Sequence, residues 1–358
     1  MVTSNRSLVL IPVLASLVLT GIWLLALPGT DQSARSLVVY CAHDAMYATE
    51  VLDEFTRQTG IRVQTRFDTE ATKSLGLINL IIQERQQPRC DVFWNNELLG
   101  MVELREQGLL EPHQGSGWLR MPEQFRDHEG YWVGFAARLR VYVVNTNQLP
   151  ADESSLASIL ALEPARFAMA KPLFGTTLTH YTVLWHLWGS DRLKGWHHDV
   201  RQQGMREVDG NAAVKDIVAR GTCDAGMTDS DDVFVALDDG LPVDLLPVRI
   251  IENHITEPPP TSALGNFTIC IPNTVGIIRG TARRDAARQL VDFLTSAETE
   301  QKLAQSKSRQ IPLGPIETTL LPEDVRRLAE WSRDGYDLRP LLPARRACLE
   351  WLRAEYLK

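Results

Sequence analysis

A two-lobed α/β fold, with two crossings joining the lobes, is what this sequence predicts, and three observations carry it. From Ser36 onward, short apolar runs alternate with segments of helical period. Each run ends in a polar turn that opens the next helix, as in a mostly parallel, doubly wound sheet. The chain then leaves one such unit, builds a second, and returns through a strand-like stretch from Leu264 to Ile278.

The first unit opens with Ser36 to Tyr40, a buried strand, and the polar turn Cys41-Ala42-His43-Asp44. Tyr47, Val51, Leu52 and Phe55 recur at helical spacing, and Gly60 closes the helix where a C-terminal cap is expected. Ile61 to Phe67 reads as a second strand, and Asp68-Thr69 opens a helix whose apolar face is Leu77, Ile78, Ile81 and Ile82. Asp91 to Trp94 is a third strand, with Asn95-Asn96-Glu97 leading into a helix through Leu98, Val102 and Leu104. Ligands of open α/β sheets sit outside the carboxyl ends of the strands. His43, Asp44, Thr69, Asn95 and Asn96 are therefore expected along one crevice.

Tyr131 to Gly134 and Leu139 to Asn145 form a long extended segment, and Leu149 to Glu163 carries a helix of its own. The second unit continues with a strand from Arg166 to Ala170, the turn Lys171 to Gly175, and a helix with Leu178, Tyr181, Trp185 and Trp188 inward. Gly175-Thr176-Thr177 at its start offers free backbone N–H groups and two hydroxyls to an anion. Trp196-His197-His198-Asp199 reads as a solvated surface, because adjacent helical histidines point about 100° apart and do not share an ion.

A helix from Asn211 to Gly221 is followed by the strand Asp224 to Met227 and by the acidic turn Asp229-Ser230-Asp231-Asp232. Two readings of that turn stand side by side. Ser230 is a good N-cap, with Asp231 and Asp232 complementing the helix dipole; the same carboxylates at a strand's carboxyl end are also in a ligand position. Pro258 to Pro260 marks a linker, and Pro272-Asn273 breaks the returning strand. Asp285 to Leu294 is a helix, Thr295 to Glu298 a capping box, and the tail from Pro322 is amphipathic helix expected to pack on the first lobe. The resulting division places a leading segment at 1–35, lobe 1 at 36–142 and 265–358, and lobe 2 at 143–264.

Composition excludes some functions. With 37 basic and 45 acidic residues the net charge is -8, and no basic run serves a nucleic acid. Leu8 to Leu27 is almost wholly apolar behind the single basic Arg6, close to the roughly 20 residues that cross a bilayer. It is a signal segment or an uncleaved anchor, with the body held outside the cytoplasmic membrane, in the periplasm or on the membrane's outer face. The five cysteines are widely spaced and give no disulfide framework or zinc pattern. Motifs of the G-x-S-x-G, P-loop and H-E-x-x-H types are missing, so binding rather than catalysis is expected. The rival readings are a cleft enzyme with Cys41 as nucleophile and His43 as base, and a sensor domain for a membrane partner.

The ordered segments Leu37 to Tyr40, Thr59 to Val63, Asp91 to Trp94, Gly108 to Pro112, Trp132 to Gly134 and Val291 to Leu294 resemble bacterial extracellular solute-binding proteins of ABC importers, and the ferric-iron-binding group among them. The resemblance implies a type II periplasmic-binding fold, an expected monomer that hands a solute to a membrane permease and its ATPase, with no resident cofactor. It also implies a cargo of ferric iron or another hard cation with a synergistic anion. Two consecutive tyrosines of that group correspond to Asp231 and Asp232, its histidine to His43 or Asp44, and its glutamate to Asn96, with Glu97 adjacent. Arg138 resembles an arginine that helps hold the companion anion. The metal candidates are His43, Asp44, Asp231 and Asp232, since carboxylate oxygens suit hard cations. The alternative cargo is a small organic solute such as thiamine, a polyamine or an amino-phosphonate, its cationic group on the carboxylates and its anionic group on Arg138 and the Thr176 turn.

Overall fold

A computed structural model describes residues 36–68, 75–155, 158–159, 161–250 and 267–357. Strands β1 (Ser36–Cys41), β2 (Arg62–Phe67) and β3 (Val92–Asn95) form the parallel core of the first lobe, with β1 between the other two. Leu37, Val39, Val92 and Trp94 are fully buried, the mark of strands covered on both faces. Helix α1 (Ala45–Thr59) covers them through Tyr47, Ala48, Val51, Leu52 and Phe55. It ends where expected, at Gly60, whose φ of 72° favours glycine and whose N–H donates to the Thr56 carbonyl. Helices α2 (Leu75–Gln83), α3 (Leu99–Glu106) and α4 (Ser116–Arg120) complete this part, with the short strand β4 (Leu110–Glu111) at its edge.

Strand β5 (Val133–Asn145) is the pivot of the architecture. All thirteen residues are buried. Over Val133–Leu139 it pairs antiparallel with the returning strand, and over Arg140–Val144 with β8. One strand thus belongs to both lobes. The second lobe contains β6 (Phe167–Ala170), α5 (Gly175–Trp188), α6 (Ser190–Gln202), β7 (Arg206–Val208), α7 (Asn211–Ala219), β8 (Ala225–Asp229), α8 (Ser230–Asp238) and β9 (Val243–Pro247). Beyond a small ladder of β10 (Arg249–Ile250) with β11 (Phe267–Thr268), β12 (Cys270–Ile278) returns and inserts between β5 and β3.

The break expected at Pro272-Asn273 is a register shift within a continuous strand. Opposite it Ala136 is left unpaired at φ 43°, a conformation unfavourable for a side chain with a Cβ. Its N–H donates to Glu300 Oε1 (2.9 Å), and its carbonyl accepts from Asn273 Nδ2. Glu300 is fully buried and also receives Leu313 N, Gly314 N and the Arg120 guanidinium. The irregular crossing is therefore held by a fixed set of polar partners.

Helices α9 (Arg284–Leu294), α10 (Ala297–Gln305), α11 (Glu323–Ser332) and α12 (Leu342–Tyr356) follow. Three expectations change here. The N-cap of α10 is Ser296, which accepts from Thr299 N, because the Thr295 hydroxyl is buried and donates back to the Val291 carbonyl. The tail helix α12 reaches beyond the first lobe: buried Arg345 pairs with Glu103 on α3, while Trp351 stacks near Tyr181 and Trp185 on α5. His197 is buried rather than solvated, since this same helix covers it; its ring nitrogens face the hydroxyls of Tyr181 (2.9 Å) and Tyr356 (3.2 Å). Residues 8–27, Thr69 and Pro258 to Pro260 lie outside the described residues, among which no helix is long and apolar enough to cross a membrane.

Candidate ligand cleft

The acidic turn is built by β8. Its Gly226 sits where a Cβ would come within 2.6 Å of Val214 and 2.8 Å of the Ala168 carbonyl, so glycine lets β8 pack closely on α7 and β6. The register that results places Asp229 directly opposite Arg140 of β5. Asp229, not Ser230, is the N-cap of α8, yet its carboxylate makes no capping bond. It accepts instead from Arg140 Nη1 (2.7 Å), Thr176 Oγ1 (2.6 Å) and Asn211 Nδ2 (3.0 Å), the charged partner winning over backbone N–H groups. Ser230 is the first helical residue, and its hydroxyl accepts from Leu139 N (3.2 Å). Both therefore brace the turn against β5 and α5.

Asp231 and Asp232 follow on α8 with different surroundings. Asp231 is buried and accepts from Arg138 Nε (3.1 Å), whereas half-buried Asp232 accepts from Thr228 Oγ1 (3.1 Å). Carboxylate oxygens of Asp229, Asp231 and Asp232 all lie within 4.8 Å of one another. This is the acidic trio the sequence singled out. Among the described residues, His43 and Asp44 do not join it at that distance.

Arg138 explains why. Arg138 is buried, only 2% exposed. Besides Asp231 it donates to the Asn96 carbonyl (2.8 Å), to Asn273 Oδ1 (3.2 Å) and to His43 Nδ1 (3.2 Å). Burial weakens its hold on the proton, but the surrounding Asp231, Asp229, Asp44 and Asp232 outweigh it and raise its pKa above the ordinary arginine value. A permanent cation thus stands between His43 and the acidic turn. The other ring nitrogen of His43 faces Gln310 (3.1 Å), and the ring lies between Trp94 and Tyr47.

On the first-lobe side, Asn95 is fully buried and spends its amide on Glu97, whose carboxylate receives Leu99 N and Gly100 N and so caps α3. Asn96 and Asp44 line the cleft. The Asn96 side-chain oxygen is buried with no donor among the described residues. Tyr47 also lines it; burial, then Asp231, Asp44 and Asp232, push its hydroxyl pKa up, so the phenol stays protonated at neutral pH.

Across the opening, Gly175, Thr176 and Thr177 form the N-terminus of α5, with Gly175 at φ 54°. Thr177 Oγ1 donates to Asn211 Oδ1 (3.2 Å). Lys171 and Lys215 line the same wall, and Asn211 starts α7 there. Sequence reasoning passed over these three and Arg140. For Lys171 and Asn211 the signal was present, since Lys171 lies in the turn between β6 and α5 and Asn211 opens α7 directly after β7. The whole cleft encloses about 410 Å³. Cys41, the nucleophile of the enzymatic reading, is fully buried, and its thiol faces the His43 carbonyl at 3.7 Å rather than the ring.

The pattern of a family described as bacterial extracellular solute-binding protein matches residues 37–306. The chain belongs to that family. This binding protein is 22% identical over 333 residues to iron uptake protein A1 of Synechocystis, covering 88% of this chain and 85% of that protein. It is 27% identical over 196 residues to the Fe(3+)-binding periplasmic protein of Serratia marcescens, a match spanning 54% of this chain and 56% of that one. Among solved structures, the apo ferric ion-binding protein A of Pasteurella haemolytica superposes with a TM-score of 0.73 at 18% identity, covering 90% of this chain and 97% of that one. The two-lobed periplasmic-binding architecture is thereby established for this binding protein.

Proposed function

We propose that the chain is the extracytoplasmic solute-binding component of an ABC importer and that its cargo is a hard cation carried together with an anion. One observation carries this: a single cleft is lined by the carboxylates of Asp44, Asp231 and Asp232 together with the N-terminus of α5 and with Lys171 and Lys215, which pair with Asp209 and Asp216. A cavity of about 410 Å³ is far larger than a bare ion and suits a small complex. Carboxylate oxygens suit hard cations, and helix N-termini with lysines suit anions. The names of the relatives, ferric and iron-uptake proteins, support the same cargo.

Asp44, Asn96, Asp231 and Asp232 are the residues we assign to the cargo, with Gly175, Thr176 and Thr177 on its anion. His43, Asn95, Arg138, Asp229 and Ser230 position them. We take the lobes as 36–142 with 265–358 and 143–264, with the tail helix touching both, and a permease and ATPase as the partners of a monomer anchored outside the membrane by residues 8–27. Calorimetric titration with ferric citrate, Ca2+, thiamine, spermidine and 2-aminoethylphosphonate tests the cargo. Ferric citrate is expected to bind, and Asp232→Ala to weaken it at least tenfold. Unchanged affinity in Asp232→Ala, or tight binding of an organic cation alone, refutes the assignment.

A further inference from the structure

The first lobe carries a second concavity, of about 180 Å³, that the cleft does not use. Arg85, Arg89 and Arg279 rim it over apolar Ile81, Pro88 and Leu109. Glu84 lies beside them, but its carboxylate accepts from the Tyr40 hydroxyl (2.9 Å). Arg85 donates to the Ile82 carbonyl, and none of the three guanidiniums meets a carboxylate within 4 Å among the described residues. In a chain with 45 acidic and 37 basic residues, that is a local exception.

Strand registers fix where this groove lies. Val39 pairs with Val92, and Val38 N donates to Asp91 Oδ2, so Arg89 stands level with Ser36, the first residue of β1. Arg62 is paired with Ser36 on the other side. Ile278 N donates to the Asp91 carbonyl and Arg279 N to the Leu109 carbonyl, which brings Arg279 to the same end. The ligand cleft is at the opposite end of these strands, after Cys41 and Asn95. Eight residues, Pro28 to Arg35, separate Ser36 from the apolar run, a span of at most about 28 Å when extended.

We propose that this groove seats the phosphate headgroup of an anionic phospholipid, so that the first lobe stands on the bilayer and the cleft faces away from it. The proposal rests on the anchored reading above. Guanidinium groups match phosphate oxygens in bidentate pairs. Each arginine near an anionic surface adds roughly fivefold to the association, on the order of 100-fold for three. Transfer of cargo to a permease then requires the lobe to leave this seat.

The test uses the full chain in nanodiscs of phosphatidylcholine alone or mixed equally with phosphatidylglycerol, with backbone hydrogen exchange followed at residues 84–90 and 278–281. Exchange there is expected to slow at least tenfold with phosphatidylglycerol, and to recover in R85Q/R89Q/R279Q and in high salt. Equal exchange in both lipids, or protection that survives the triple substitution, overturns the proposal. Protection by millimolar inorganic phosphate on neutral discs overturns it too, in favour of a free-anion site. Cargo affinity of the triple variant is expected to match the parent, which separates this outcome from the cleft assignment. The intact mass of the protein isolated from its membrane tests the anchor; a cleaved N-terminus overturns the anchor and this proposal together.

Discussion

Replacing Asp229 with asparagine asks whether that carboxylate braces the cleft or binds the cargo. Asp229 is 4% exposed and is the only carboxylate that Arg140 meets among the described residues, at 2.7 Å. Arg140 is fully buried, and its Nε and Nη2 find no acceptor among the described residues. An isosteric amide still offers Arg140 an oxygen beside Asn211 Oδ1 (3.0 Å) and Thr176 Oγ1 (3.4 Å) but no negative charge, and turns an NH2 group toward the Asn211 amide. Stranding a buried charge this way costs about 3 to 5 kcal/mol. Unfolding entropy of about 0.7 kcal/mol/K for a chain of this size converts that to a fall in Tm of roughly 4 to 7 °C. Differential scanning calorimetry of Asp229→Asn measures it, with the double variant Asp229→Leu, Arg140→Met expected to lose less than the single one. A Tm within about 1 °C of the parent, together with lost cargo affinity, refutes the brace and makes Asp229 a ligand group.

His197 supplies a pH test, because burial, aided by Arg201, depresses its pKa to about 4. The unfolded chain, near 6.5, binds the proton first as pH falls, so stability is complete above about 6.5 and declines toward pH 4. Between pH 7 and pH 5 the loss is about 2 kcal/mol by linkage, and denaturant melts of His197→Leu should lack that increment; an equal slope in the variant contradicts it. All five thiols are buried, and burial raises those of Cys90, Cys223, Cys270 and Cys348. Iodoacetamide is therefore expected to label none of them, Cys41 included, until the chain is unfolded. Labelling of native Cys41 in minutes would revive the enzymatic reading.

Much of the fold was legible because its signals are local. The alternation of Leu37, Val39 and the Tyr47 to Phe55 stripe, the stop at Gly60 and the helix that follows the Lys171 to Gly175 turn each depend on a few neighbouring residues. The site was legible in its placement and misleading in its chemistry. Asp229 and Ser230 look like ligand and cap in the sequence, but a β-ladder to Arg140 and Leu139, some 90 residues earlier, decides what their side chains do. Arg138 looks like an anion-holding arginine in the sequence, but Asn96, His43 and Asp231 arrive from three separate elements to enclose it. His197 was misjudged for the same reason, its cover coming from Trp351 and Tyr356 at the far end of the chain.

Strand β12 fills the slot between β3 and β5, yet it lies about 180 residues after β3 in the chain. In a protein that emerges from a translocation channel amino end first, the first lobe waits with an unfinished edge while the whole second lobe passes through. Val92, Phe93 and Trp94 then present an apolar, unpaired strand to whatever is nearby. Pairings this distant in sequence form slowly. The period between emergence of β3 and arrival of β12 is the interval in which this chain most needs a holdase, and variants that slow β12 insertion should show up as losses in export yield before any loss of cargo affinity.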